Sequence, residues 1–150
     1  MATAIDQEKR LISVETPLGD DLLVLQSFTA AERLSALFSY QLEMLSSDDA
    51  IAPADIVGQN VTVRLNLADG GQRFFNGHVS QFVGGALHSR ELRRYRAEVV
   101  PWLWFLTRTT NCRMFQSMSA PKIIEQVFQD LGFSDFELKL QGSHPERVYC

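Results

Sequence analysis

Three histidines, His78, His88 and His144, and two cysteines, Cys112 and Cys150, are the side chains of this sequence best suited to bind a metal or act as a nucleophile. A zinc site takes its ligands in closely spaced pairs, and none of the histidines has a cysteine, aspartate or second histidine at that spacing. His78, in the run Phe75-Asn76-Gly77-His78-Val79, reads as a structural histidine of a strand. Asp48 and Asp49 are adjacent, whereas a calcium loop sets its oxygens at alternating positions around a glycine turn, so both read as loop charges. A Cys112–His78 pair would be a thiol activated by an imidazole. Cys112, however, stands beside Arg113, Met114 and Phe115 in an extended apolar stretch, where a buried, inert thiol is the simpler expectation. Gly70-Gly71 and Gly84-Gly85 flank strands and open no helix whose N-terminus would hold a phosphate. The spacings therefore supply no catalytic, cofactor-binding or metal-binding residue and call for no cofactor.

Charge narrows the partners. With 14 basic and 18 acidic residues the formal net charge is −4, which argues against a nucleic-acid role for the domain as a whole. Arg90, Arg93, Arg94 and Arg96 break that average; together they could dock an acidic partner, although a solvated strand face after a loop is the plainer reading. Two cysteines make no disulfide framework and are expected as free thiols in a reducing compartment. Near the start, Asp6 and Glu8 occupy the place where a secretory signal carries positive charge, with no continuous apolar core behind them, so synthesis in the cytoplasm follows. No apolar run reaches membrane-spanning length. A 45% hydrophobic and 21% charged composition over 150 residues suits about one globular domain.

The elements that carry these residues are mostly strands. Arg10–Val14 and Asp21–Phe28 flank the turn cluster Pro17-Leu18-Gly19-Asp20 and predict an opening hairpin, with Leu22, Val24, Gln26 and Phe28 on one face. Ala30–Ala36 reads as a loop or short helical turn. Phe38, Tyr40, Leu42 and Met44 alternate with polar residues as the next strand, and Pro53–Gly58 has the early proline and exit glycine of a single helical turn. Val61, Val63, Leu65 and Leu67 alternate up to the Asp69-Gly70-Gly71 turn. A second strand follows and ends at Gly84-Gly85; within it, Gly77 marks a bulge or a close backbone approach.

Tyr95–Gln116 is the densest apolar stretch. Tyr95, Ala97 and Val99 point to one side and Arg96 and Glu98 to the other, until Pro101 interrupts the ladder. Trp102–Leu106 fits either a helical turn or a continued strand, and with Met114 and Phe115 is expected to plug the barrel. At least six strands with little helix between them predict a mainly β fold, an antiparallel barrel or sandwich. Val61, Phe75, Tyr95 and Trp102 are expected to fill its wall, with Arg64, Arg73 and Arg96 on polar faces. From Ser119, taken as an N-cap, Ile123, Ile124, Val127, Phe128 and Leu131 line one face of a helix that ends at Gly132. Phe136, Leu138 and Leu140 predict another strand. Arg147–Cys150 opens one more that stops at once, so a longer polypeptide is expected.

The blocks FSYQLEMLSSD, ADIVGQNVTVRL, RFFNGHVSQF, YRAEVVPWLWFLTRTTNCRMFQ, SAPKIIEQVFQDLGF and PERVYC, spread from Phe38 to Cys150, resemble the N-terminal region of the VgrG family of type VI secretion spike proteins. The Gly84–Arg93 and Gln141–His144 segments carry none of the likeness. The resemblance implies a tube-type β-barrel over residues 1–118 and, over 119–150, the helix and strand that begin an α/β domain, α+β in all. It further implies a homotrimeric hub related to contractile-phage baseplate hubs, in which each chain supplies two such barrels and the ring stacks on the hexameric Hcp tube. Baseplate components are implied as further partners, as are effectors or adaptors held by C-terminal regions outside this sequence. No enzyme activity and no nucleic acid are implied for this segment. Assembly in the cytoplasm would precede secretion or injection into target cells without a Sec signal. A contractile phage or tailocin hub is the alternative within the same machinery. A barrel that binds glycan or nucleic acid, or a hydrolase using Cys112 and His78, has no supporting motif.

Overall fold

A computed structural model of the chain describes residues 6–89 and 91–150. Its contacts fall into two compact units that divide after Leu106.

The first unit is built from six strands: β1 (Ile12–Glu15), β2 (Val24–Ala31), β3 (Ser39–Ser46), β4 (Asn60–Asn66), β5 (Gln72–Leu87) and β6 (Arg93–Val100). All neighbours are antiparallel, in the order β1-β4-β5-β6-β3-β2, and β1 comes back beside β2 so that the sheet is a nearly closed barrel. The alternation read from the sequence sets the register. Tyr40, Leu42, Met44, Tyr95, Ala97 and Val99 are all buried, and the residues between them face outward. Burying a side chain such as Leu42 or Val99 contributes about 2 kcal/mol, so a one-residue slip of either strand would forfeit several such terms. Aromatic pairs fill the centre. Phe82 stacks on Tyr95 with ring centres 5.2 Å apart, and Phe28 and Tyr40 lean on Phe75 at 4.9 and 5.7 Å. Val61, Phe75 and Tyr95 are in the wall as expected, while Trp102 is half-buried.

One strand makes the barrel curve. β5 is 16 residues long; its first half pairs with β4 as far as His78, and its second half pairs with β6 from His78 to Leu87. Register shifts between Val79 and Gln81 and between Gly84 and Leu87 coil it from one partner to the other. Gly77 sits one residue before the change of partner. A Cβ there would lie 2.7 Å from the Val100 carbonyl oxygen and 2.8 Å from Val99 Cγ1, so the close-approach reading of this glycine holds. Gly84 and Gly85 do not end the strand, as their composition suggested; they form the second irregularity inside it, and pairing to β6 carries the chain on to Leu87.

The opening hairpin is not formed. β1 pairs with β4 and β2 with β3, because the first strand is taken up by the distant partner that closes the barrel. The face predicted for β2 is also broken. An extra residue at Gln26 shifts the register between Leu25 and Ser27, so Leu23, Leu25 and Phe28 reach the core. The β2 strand extends to Ala31 before an open turn in which Ser35 takes φ 56°.

The predicted helical turn is α1 (Pro53–Ile56), with proline at its start and Gly58 at φ 85° after it. Ile56 is fully buried, and the Gly58 N–H and Gln59 carbonyl bond the backbone of Val79. After β6, Trp102–Arg108 is a 3-10 helix, which decides between the two conformations the sequence allowed.

In the second unit, β7 (Gln116–Met118) and β8 (Arg147–Tyr149) pair antiparallel, and Phe115 and Cys150 exchange backbone hydrogen bonds beside them. Between these strands runs α2 (Ala120–Asp130). Ser119 holds the N-cap position without a side-chain cap bond, whereas the C-terminus is a full Schellman turn: Gly132, at φ 82°, donates to Gln129 O and Phe133 to Phe128 O. The expected strand at Phe136–Leu140 is absent. Its alternation is real, but no neighbouring strand among the described residues offers a ladder, and Phe136 instead meets Phe128 edge-on at 5.0 Å. Met114 is exposed and is not a plug.

Candidate assembly surface

The residues singled out for chemistry are dispersed. His78 lies on β5 with its ring edge-on to Phe105 at 5.7 Å, and its Nδ1 is buried without a partner among the described residues. Burial pushes its pKa below the ordinary histidine value. His88 follows β5, with Nδ1 3.1 Å from Arg94 Nη2, and His144 is exposed in the second unit. Cys112 was expected to be buried; it is exposed, as is Cys150, and both are free thiols. The reason is that the stretch around it joins no sheet until Gln116, so nothing covers the thiol. Cys112 and His78 belong to different units. Asp48 is a turn residue whose carboxylate accepts the Ala50 N–H at 2.8 Å and whose carbonyl accepts the Tyr95 hydroxyl at 2.9 Å. Among the described residues no group of three or more metal-ligating side chains is assembled.

What the fold does assemble is a polar outer wall across β2, β3, β6 and β5. Register places Ser27, Glu43, Arg96 and Val83 on one cross-strand row and Thr29, Gln41, Glu98 and Gln81 on the next. In the first row Arg96 Nε donates to Glu43 Oε1 at 3.0 Å and the Ser27 hydroxyl to Glu43 Oε2 at 3.2 Å. These bonds, Arg96 first, hold the Glu43 carboxyl below the usual carboxylate range. In the second row Glu98 gathers three side chains from two flanking strands: Ser39 at 3.0 Å, Gln41 at 3.4 Å and Ser80 at 2.9 Å. Opposite-charge and hydroxyl rows of this kind fix strand register.

The arginine cluster separates by role. Arg93 turns back to the barrel, donating to the carbonyls of Gly85 and Asp49 and lying over the Tyr95 ring. Arg96 belongs to the wall, Arg94 stands beside His88, and Arg90 lies outside the described residues.

The seam between β1 and β2 rests on a residue the sequence did not single out. The Gln7 side chain is buried; its Oε1 accepts from Val14 N at 3.1 Å and Leu25 N at 3.0 Å, and its Nε2 donates to Val14 O at 3.3 Å and Leu23 O at 3.1 Å. A primary amide thus stands in for a missing rung of the ladder. No sequence signal marks it, because a glutamine between aspartate and glutamate near the N-terminus reads as solvated.

Comparison with known proteins gives this wall a context. Residues 31–150 match the family described as phage tail baseplate hub (GPD). Two spike proteins of type VI secretion from Pseudomonas aeruginosa, VgrG1c and VgrG1b, are 43% and 41% identical to the chain over 96% and 98% of its length. The chain spans about 20% of each of these relatives. The fold is shared with the E. coli c3393 protein, described as a type VI secretion component with structural similarity to T4 bacteriophage tail proteins gp27 and gp5. The TM-score is 0.70 at 22% identity, over 93% of this chain and 38% of that one. No helix among the described residues is long and apolar enough to cross a membrane. By the family match and the shared barrel, the chain belongs to the phage tail baseplate hub family and is related to the VgrG spike proteins of type VI secretion.

Proposed function

We propose that this chain is the N-terminal hub segment of a type VI secretion spike. In this reading the full-length protein is a homotrimer, the first unit is its first tube-like barrel, and the barrel ring stacks on the hexameric Hcp tube within a baseplate. The second unit begins the following α/β domain. The spike assembles in the cytoplasm and leaves with the tube rather than through a Sec signal, carrying effectors or adaptors on regions beyond this segment. Its work is recognition and mechanical load, without catalysis or nucleic-acid binding. The single observation that carries this reading is the 43% identity to a type VI spike protein across 96% of the chain.

The test is to delete the barrel from the full-length spike gene and measure Hcp released into the medium by a strain with an active system. Loss of release is the expected outcome; release at the parental level would overturn the reading. The resemblance of the fold neighbour to T4 tail proteins supports a second reading, a hub of a contractile phage or tailocin. That reading predicts that the same deletion abolishes assembled tail particles instead.

A further inference from the structure

We propose that the outer side of the β5–β6 hairpin is a docking groove for an extended, acidic protein segment that alternates carboxylates with apolar side chains. Past Val79, β5 pairs only with β6; among the described residues no strand occupies its other edge, although the first half of the same strand is paired there with β4. An open edge offers backbone donors and acceptors to an incoming strand. Alongside it runs a groove of about 420 Å³ lined by Val83, Gly85, Leu87, His88, Arg94 and Arg96. Gly85 lines it without a side chain. A Cβ at Gly85 would come within 3.2 Å of the Arg94 carbonyl oxygen, so the bulge fits only as glycine or with local movement.

The chemistry of the lining selects the occupant. Among the described residues Val83 and Leu87 are an exposed apolar pair, at 50% and 68%. Beside them, among the described residues, Arg94 has a buried Nε with no acceptor, and its Nη2 lies 3.1 Å from His88 Nδ1. Arg96 engages Glu43 through Nε. Two guanidinium groups therefore border an apolar strip on a chain whose net charge is −4. A carboxylate complements the Arg94 guanidinium, Arg96 being already paired with Glu43, and side chains two residues apart on an extended segment fall on one face, as the strip requires. A polyanion such as nucleic acid would meet the arginines but leave Val83 and Leu87 uncovered. The groove belongs to the barrel wall itself, so this proposal stands or falls separately from the hub reading.

The probe is a short, fluorescently labelled peptide alternating aspartate and valine, titrated into the full-length protein with anisotropy as readout. Saturable binding is expected, weakened about tenfold by Arg94→Glu and by Leu87→Asp, and absent for the peptide with lysine in place of aspartate. Leu87 is exposed, so its replacement keeps folding out of the readout. No saturable binding, or binding indifferent to both substitutions, overturns the proposal. So does equal affinity for single-stranded DNA or for an aspartate–serine peptide, since either would mean that the apolar strip plays no part.

Discussion

Gln7 joins Val14 to Leu25: its side-chain oxygen accepts the N–H groups of both, on two strands that share no ladder of their own. That amide and the Arg10 guanidinium, which donates to Leu25 O at 3.2 Å, tie the two edges of the barrel together. Replacing Gln7 with leucine keeps the volume but leaves two N–H groups and two carbonyls buried without partners. The expected loss is about 3 kcal/mol of unfolding free energy, measured by urea titration. Hydrogen exchange should localise the effect, with the Val14 and Leu25 amides losing protection first and the β3–β6 ladder last. Uniform loss of protection would mean that Gln7 is not a local clasp.

Gly77 gives a steric counterpart. Its missing Cβ makes room for the Val100 carbonyl at 2.7 Å, and backbone cannot rotate away as a side chain does. Gly77→Ala should cost about 2 kcal/mol by forcing β5 and β6 apart. Gly70→Ala, in an open turn at φ 83°, should cost only about 1 kcal/mol, from the strained backbone conformation. Equal losses would contradict the packing assigned to this crossing.

His78 should make the barrel sensitive to acid. Burial lowers its folded-state pKa below the unfolded value, so the unfolded chain binds the proton more readily. Stability is therefore full above the ordinary histidine value of about 6.5 and falls as pH drops below it. The buried Nδ1 without an acceptor and the Phe105 ring beside it offer the imidazolium no compensation. His78→Gln should flatten the dependence of thermal midpoint on pH between about 6.5 and 5. An unchanged slope would assign the acid sensitivity elsewhere.

The parts that were legible in the sequence are those decided within a few residues. Alternation gave Tyr95, Ala97 and Val99 their inward face and Arg96 and Glu98 their outward one; proline and glycine bracketed α1; and the apolar period of α2 with Gly132 fixed that helix and its end. The misses have a common cause in long-range pairing. The first strand left its neighbour for β4, Gln26 bulged, and Phe136–Leu140 found no partner, none of which local period reports. The wall around Glu98 was half legible: its side was predictable, but its meeting with Ser39 and Ser80 depends on the register of three strands. Cys112 went wrong for the converse reason, since apolar neighbours do not bury a residue when their segment joins no sheet.

The proposed function seats this barrel, as part of a hub, on a tube end, and electron microscopy of the full-length protein mixed with preformed Hcp tubes would show that contact. The expected images show trimeric density capping tube ends, lost when the barrel is deleted. Tubes left bare at their ends, or the same capping by a spike without this barrel, would contradict it.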